Sequence, residues 1–249
     1  MPDKRTSTEY LQRAALYDTL AQYYKYTNPQ YHIHYYLKHL HNINKAIEVM
    51  LNAARTQSDA SVRILHTSYN SPNIDVYVNG QQLIKDLPFK KISTDLTLKP
   101  GKYHIDLYPA GNMVDSVLNK KITVESGGSY TLATIDQVTK MRLLIFENHP
   151  SVPMNEAKVR FIHLSPDTPS IDIAVKDRDV VFPNVSYKQA TEYLALTPMT
   201  IDLEVRNAGT KHVILPMPKL LFKANESYTI LLVGLSEEVP ELQIVRIID

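Results

Sequence analysis

The chain of 249 residues has no cysteine and no tryptophan. Without cysteine there is no disulfide framework, no thiolate metal centre and no cysteine nucleophile. Glycine is scarce, at seven residues, few for an enzyme that cradles phosphates on backbone amides. No Walker loop, dinucleotide fingerprint, EF-hand loop or His-Glu-x-x-His is present. Nowhere do 18 apolar residues run together, so no transmembrane helix is expected, and the first 25 residues lack the apolar core of a signal peptide. An excess of one charge is missing too: 27 Lys and Arg face 26 Asp and Glu, a net charge of +1. That argues against a strongly charged binder of nucleic acid or membrane surfaces. At 44% hydrophobic and 21% charged residues, the composition is that of a folded chain and not of a disordered one. The length suits one large domain or two to three small ones.

Tyrosine is plentiful. Of 16, eight lie in the first 36 residues. Residues 1–56 read as helix. Thr6-x-x-Glu9 has capping-box spacing, and Tyr10, Ala14, Tyr17, Ala21 and Tyr24 recur at helical steps. Asn28-Pro29 interrupts the pattern, because proline disfavours helix at the residue before it. Ile33, Leu37, Leu40, Ile43, Ile47 and Met50 or Leu51 then form a second apolar stripe, with Lys38, His41, Lys45 and Glu48 mostly on other faces. The expectation is an antiparallel helical hairpin. It buries too little to stand alone, so it docks on its own chain, on another copy or on another structural protein. Tyr10, Tyr17, Tyr24, Tyr31, Tyr35, Tyr36, Leu37 and Leu40 are the candidate interface residues, since tyrosine offers large amphipathic area at low rotamer cost. Basic residues there are sparse and scattered, which disfavours base stacking and nucleic acid. His32, His34, His39 and His41 include no i,i+4 pair, so no metal site is expected; they read as polar residues around the seam that would charge below about pH 6.5.

From about residue 60 the period changes from 3.6 to 2. Turn signals arrive every eight to twelve residues, led by Asn79-Gly80 after Ile74–Val78, a hairpin signature. Val114, Val117 and Leu118 also read as strand. An internal repeat is present. Val62-Arg63-Ile64-Leu65-His66-Thr67-Ser68 is echoed 97 residues later by Val159-Arg160-Phe161-Ile162-His163-Leu164-Ser165, and the offset holds through Asp75 and Asp172. After one inserted residue, Leu98/Leu196, Pro100/Pro198, Gly111/Gly209 and Ser129-Tyr130-Thr131/Ser227-Tyr228-Thr229 coincide 98 apart. Two copies of one unit follow, over residues 60–147 and 157–249, joined by a proline-stiffened segment from Glu147 to Glu156. The expected fold is mainly β with an α N-terminal segment: a helical hairpin, then two tandem antiparallel β-sandwiches of immunoglobulin or transthyretin type.

The repeat opening, with Pro-x-Ile-Asp, Leu-x-Pro-Gly-x-Tyr at Leu98 to Tyr103, Pro-Ala-Gly at Pro109 to Gly111 and Ser-Tyr-Thr, resembles the bacterial family known as domain of unknown function 4397. The resemblance implies tandem β-sandwiches, often in secreted or surface proteins, and carries no activity or catalytic residue. The second copy departs from it by having Pro198-Met199 in place of Pro-Gly. The helical segment is not associated with the family.

His66, Ser68 and Asp75, with His163, Ser165 and Asp172, are the candidate binding residues. As a functional set they suggest hydrolysis or ligand binding; as a structural set they tie down the long first turn. No serine on a sharp Gly-x-Ser-x-Gly turn is present, so no catalytic residue is assigned. No metal or cofactor is expected. Two functions are open at this point. One is a non-enzymatic structural or adhesive component of a bacterial cell or spore surface, assembled through its helices without a classical signal peptide. The other is a soluble, cytoplasmic or surface-held module that binds a carbohydrate, peptide or small ligand, or a surface polymer, at the repeat-opening loops.

Overall fold

A computed structural model describes residues 5–55 and 58–249; residues 1–4, 56 and 57 of the segments anticipated above lie outside the described residues. The chain forms two compact units, Met1–Asp59 and Ala60–Asp249.

In the first unit, α1 spans Ser7–Tyr24 and α2 spans Pro29–Arg55. The capping box forms as the spacing predicts: Thr6 Oγ1 accepts from the Glu9 amide, and the Glu9 carboxylate accepts from the Thr6 amide at 2.7 Å. Those bonds hold the Glu9 carboxyl below its usual range. Pro29 occupies the first turn of α2, where its missing N–H costs nothing, and Asn28 Oδ1 accepts from the Tyr31 amide at 3.2 Å.

The helical period is as expected, but the packed face of α2 is not. Leu37 is 60% exposed, Ile33 57% and Ile47 49%. The buried or half-buried seam runs instead through His32, Tyr35, His39, Asn42 and Ala46. The reason lies in α1, whose buried positions include Ala14 and Ala21. A small residue there lets a ring from α2 reach the opposite backbone. His32 Nδ1 bonds the Ala21 carbonyl at 2.8 Å, and His39 Nδ1 bonds the Ala14 carbonyl at 2.9 Å. Two pairs seven residues apart keep one antiparallel register.

The second unit contains sixteen strands. The first repeat contributes β1 (Ala60–His66), β2 (Ile74–Val78), β3 (Gln81–Leu87), β4 (Leu96–Leu98), β5 (Gly101–Pro109), β6 (Leu118–Val124), β7 (Ser129–Ile135) and β8 (Arg142–Asn148). The second contributes β9 (Ala157–His163), β10 (Ile171–Val175), β11 (Val180–Val185), β12 (Leu194–Leu196), β13 (Met199–Asn207), β14 (Val213–Phe222), β15 (Ser227–Val233) and β16 (Gln243–Ile248). The sheets are β3-β2-β5-β6 and β4-β1-β7-β8, then β12-β9-β15-β16 and β11-β10-β13-β14. Strand order is the same in both copies.

Three sequence expectations need correction. The sandwiches are not purely antiparallel: β1 pairs with β7, and β9 with β15, in parallel. A parallel pair needs a long connection, and here the intervening chain supplies it by building the other sheet. Val114 and Val117 precede β6, which starts at Leu118. Glu147 and Asn148 belong to β8, so the joining segment is shorter than anticipated.

The repeats share a core. One apolar cluster fills the first sandwich, including Ile64 and Leu132, and a second fills the other, including Phe161 and Ile230. A third joins Leu65, Ala133, Ile135 and Phe146 of the first repeat to Ile162, Leu231, Val233 and Ile247 of the second. The inner sheets therefore face each other, and consecutive residues serve different cores: Ile64 one, Leu65 the next. This is why β9 and β15 are buried at every position.

Each Ser-Tyr-Thr motif holds a corner. Tyr130 Oη accepts from the Glu125 amide at 3.2 Å, and Tyr228 Oη from the Lys223 amide at 2.9 Å. The loop after β15 is fixed by close packing: a Cβ on Gly234 would lie 2.3 Å from the Glu241 carbonyl oxygen, and φ there is +92°. Gly234→Ala should therefore cost about 2 kcal/mol or more, from the left-handed backbone and the steric clash. The denaturation midpoint reads this; an unchanged midpoint would mean the loop yields freely.

Candidate functional site

His66 ends β1 and is fully buried. Its Nε2 lies 3.1 Å from the Pro72 carbonyl, which can only accept, so Nε2 carries the proton. Burial holds the ring below the usual histidine range, the Pro72 bond opposing. The ring is neutral, and Nδ1 accepts from Thr134 Oγ1 at 2.9 Å. His163 repeats the arrangement: Nε2 faces the Pro169 carbonyl at 3.1 Å, Nδ1 accepts from the Ser165 amide at 3.3 Å, and burial again lowers its pKa. Ser68 Oγ donates to the Asp136 carbonyl. Ser165 Oγ donates to Asp167 Oδ1 at 3.0 Å.

Asp75 and Asp172 sit on β2 and β10, in the outer sheets, while the histidines are in the inner ones. Asp75 accepts from the amides of Asp86 at 2.7 Å and Gly111 at 3.1 Å; Asp172 accepts from those of Asn184 at 2.7 Å and Gly209 at 2.8 Å. Asp86 and Asn184 have φ of 55° and 51° and lie at register shifts beside β2 and β10. Each carboxylate thus clamps a bulge to a turn. Histidine, serine and aspartate of one repeat form no mutually bonded triad. Among the described residues no buried side-chain N or O lacks a partner.

The tyrosines divide. Tyr10 is buried in the hairpin. Tyr17, Tyr24, Tyr31 and Tyr35 form a ring ladder, with Tyr24 and Tyr35 stacked at 5.7 Å and Lys38 Nζ 5.4 Å from the Tyr17 ring. Tyr31, Tyr36, Leu37 and Leu40 are exposed. No cluster of three or more His, Asp or Glu that could hold a metal occurs among the described residues.

Sequence reasoning passed over Arg63 and Arg160, although both stand in the duplicated opening motif. Arg63 Nε donates to Thr131 Oγ1 of its own repeat at 3.1 Å. It then crosses to the other, reaching the Ile248 carbonyl at 2.8 Å and Asp249 Oδ1 at 2.6 Å. Arg160 mirrors it, bonding Thr229 Oγ1 at 3.0 Å, the Glu147 carbonyl at 2.7 Å and Asn148 Oδ1 at 2.6 Å. Burial pulls Arg160 below the ordinary guanidinium range, with Tyr193 and Asp249 opposing. A charged residue at the centre of two apolar strands was the available signal.

The repeats differ at one corner. In the second, an apolar recess of about 130 Å³ opens between edge strands β11 and β12, and no polar atom lines it. Phe161, Phe182, Leu194, Met199, Ile201 and Phe222 are among its walls. Strand register identifies the counterparts. Met199 pairs with Phe222 as Gly101 pairs with Val124, so Ile201 takes the place of Tyr103. In the first repeat the Tyr103 ring lies beside Gly101, packs on the core, and its hydroxyl donates to the Lys99 carbonyl at 2.9 Å. Ile201 is too short to do the same.

Two packed sheets per repeat, in identical order and sharing a third core, define a tandem β-sandwich protein. The chain belongs to the DUF4397 family, a domain of unknown function, which matches residues 60–174 and 157–247. No curated protein matches it. Among solved structures it is similar to the C-terminal domain of AlgF from P. aeruginosa, at 18% identity over 37% of this chain and 100% of that one, with a TM-score of 0.28. It is also similar to a family CBM26 module of Eubacterium rectale Amy13K, at 10% identity over 75% and 96%, TM-score 0.24. A proposed cell adhesion protein of Bacteroides fragilis matches at 11% identity over 76% and 97%, TM-score 0.18. No helix among the described residues is long and apolar enough to cross a membrane.

Proposed function

We propose that the chain is a binding protein without catalytic chemistry, and that its ligand enters the apolar recess of the second repeat and not the repeat-opening loops. One observation carries this reading: the polar atoms of the duplicated His, Ser and Asp residues are spent on the fold, whereas the recess is walled by apolar side chains and has Ile201 at the register position where the first repeat packs Tyr103 on its core. The duplicated motif is then a geometric device, and the first repeat a closed structural partner of the second. A thermal-shift screen of the full chain against glycans, peptides and small apolar compounds tests it. Hits should carry an apolar group, and glycan-only hits would overturn the reading. We read the sandwich as a variant of the immunoglobulin architecture, because Tyr130 and Tyr228 bond back to the backbone just upstream as a tyrosine corner does.

A second reading concerns the hairpin. Its exposed stripe of Ile33, Leu37, Leu40, Ile47 and Leu51 suits a second copy, since a two-fold axis makes one apolar face its own complement. Two hairpins would then close a four-helix bundle, joining chains in a bacterial surface or spore layer. Light scattering should give a dimer for the full chain and a monomer for residues 58–249; a monomeric full chain would end this reading.

A further inference from the structure

Beyond the existence of a site, the recess limits what can fill it. We propose that it takes one unsubstituted apolar group of about six carbons, an aromatic ring or a branched alkyl group, and that Ile201 is the residue that makes it available. This rests on the binding reading above. The recess measures about 130 Å³, and a cavity of about 150 Å³ lined by Leu, Ile and Phe stays dry and holds benzene.

The walls set the chemistry. Phe161 and Phe182 meet at 5.4 Å between centroids with their planes tilted by 53°, leaving ring edges and faces to a guest, the geometry aromatic groups prefer. No polar atom lines the space, so a hydroxyl carried inside would lose its hydrogen bonds to water and gain none. Leu194 and Met199, 43% and 39% exposed, stand at the mouth, so a polar remainder of the ligand stays in solvent.

The first repeat supplies an internal control. At the register position of Ile201 it has Tyr103, whose ring packs against the first core and whose hydroxyl donates to the Lys99 carbonyl. Met199, in place of glycine, adds a flexible thioether able to mould to a guest. The second repeat has no tyrosine at that position.

The test uses the full chain with ¹³C-labelled methyl groups. Benzene should shift the methyl resonances of Met199, Leu194 and Leu196 saturably, and hydroquinone, which cannot keep both of its opposed hydroxyls at the mouth, should bind at least about tenfold more weakly. Ile201→Tyr should abolish the benzene shifts; a tyrosine is already accommodated at this register in the first repeat. Leu194→Trp, at the exposed mouth, provides a second block should the first variant fold poorly. N-acetylphenylalaninamide distinguishes sources. Shifts with it support a ring borne on a peptide; shifts with benzene alone support a free hydrophobe. Absence of benzene shifts, or shifts unchanged in both variants, overturns the proposal. Ligands found in the thermal-shift screen that still bind Ile201→Tyr would sink the recess yet leave a binding protein, whereas no ligand at all would sink both.

Discussion

Replacing Arg63 by alanine should destabilise the double sandwich by about 3–5 kcal/mol, the cost of leaving one member of a buried ion pair without its partner. The Asp249 side chain is fully buried and Arg63 is its guanidinium partner at 2.6 Å. Loss of Arg63 also strips the Ile248 carbonyl of its donor. Since the arginine is rooted in the first repeat and its acceptors lie in the second, the effect reads how far the two copies fold as one. For a unit of this size the loss corresponds to a fall in melting temperature on the order of 10 °C. Substituting both partners by apolar residues, Arg63→Met with Asp249→Leu, should recover only part of the loss, because no charge is then stranded but the hydroxyls of Tyr193, Ser227 and Thr229 lose the carboxylate they donate to. A cost below about 1 kcal/mol for Arg63→Ala would show that the reciprocal arginines do not bind the repeats together.

Stability should also fall as pH drops below about 6.5. His66 and His163 are buried, neutral and held below the usual histidine pKa, chiefly by burial. In the unfolded chain both would titrate near 6.5. Below that pH the unfolded state binds more protons than the folded one, so the stabilisation is fully present above 6.5 and is lost as pH falls toward the folded-state values. Each histidine contributes at most about 1.4 kcal/mol per pH unit, and the two together about 2.7. Asp167, held low in the fold by the amides of Ser236 and Glu237 against the opposing effect of burial, acts in the same sense but only at more acidic pH. Denaturant melts between pH 7.5 and 5 measure the slope. The double variant His66→Gln, His163→Gln should be less stable at pH 7.5 and show a flatter limb. A wild-type profile flat across this range would contradict the proton assignment derived from the Pro72 and Pro169 carbonyls.

Much of the architecture is legible in the residue pattern. The capping box at Thr6, the break at Asn28-Pro29, the Asn79-Gly80 hairpin and the duplication from Val62 to Val245 are local signals, set by backbone sterics and hydrogen bonding within a few residues or by simple self-similarity. Even the recess left a mark, in Pro198-Met199 where the first copy has Pro100-Gly101. What the pattern does not carry is which face meets what. The apolar stripe of α2 reads as its packing face, yet small residues at Ala14 and Ala21 let His32 and His39 take that place. His66, Ser68 and Asp75 sit close in sequence and read as a set, yet chain reversal sends histidine and aspartate to different sheets.

The sequence alone determined the number of repeats, their periodicity and most of their turns, because those depend on self-similarity and short-range geometry. Tertiary structure alone decided the parallel pairing of β1 with β7, the burial of both faces of the inner sheets, the crossing of Arg63 and Arg160 between repeats, and the open corner at Ile201. Each of these depends on which surfaces lie across from one another once the sheets stack. Residues tens to nearly two hundred positions apart set that relation, through packing and desolvation that no local pattern encodes.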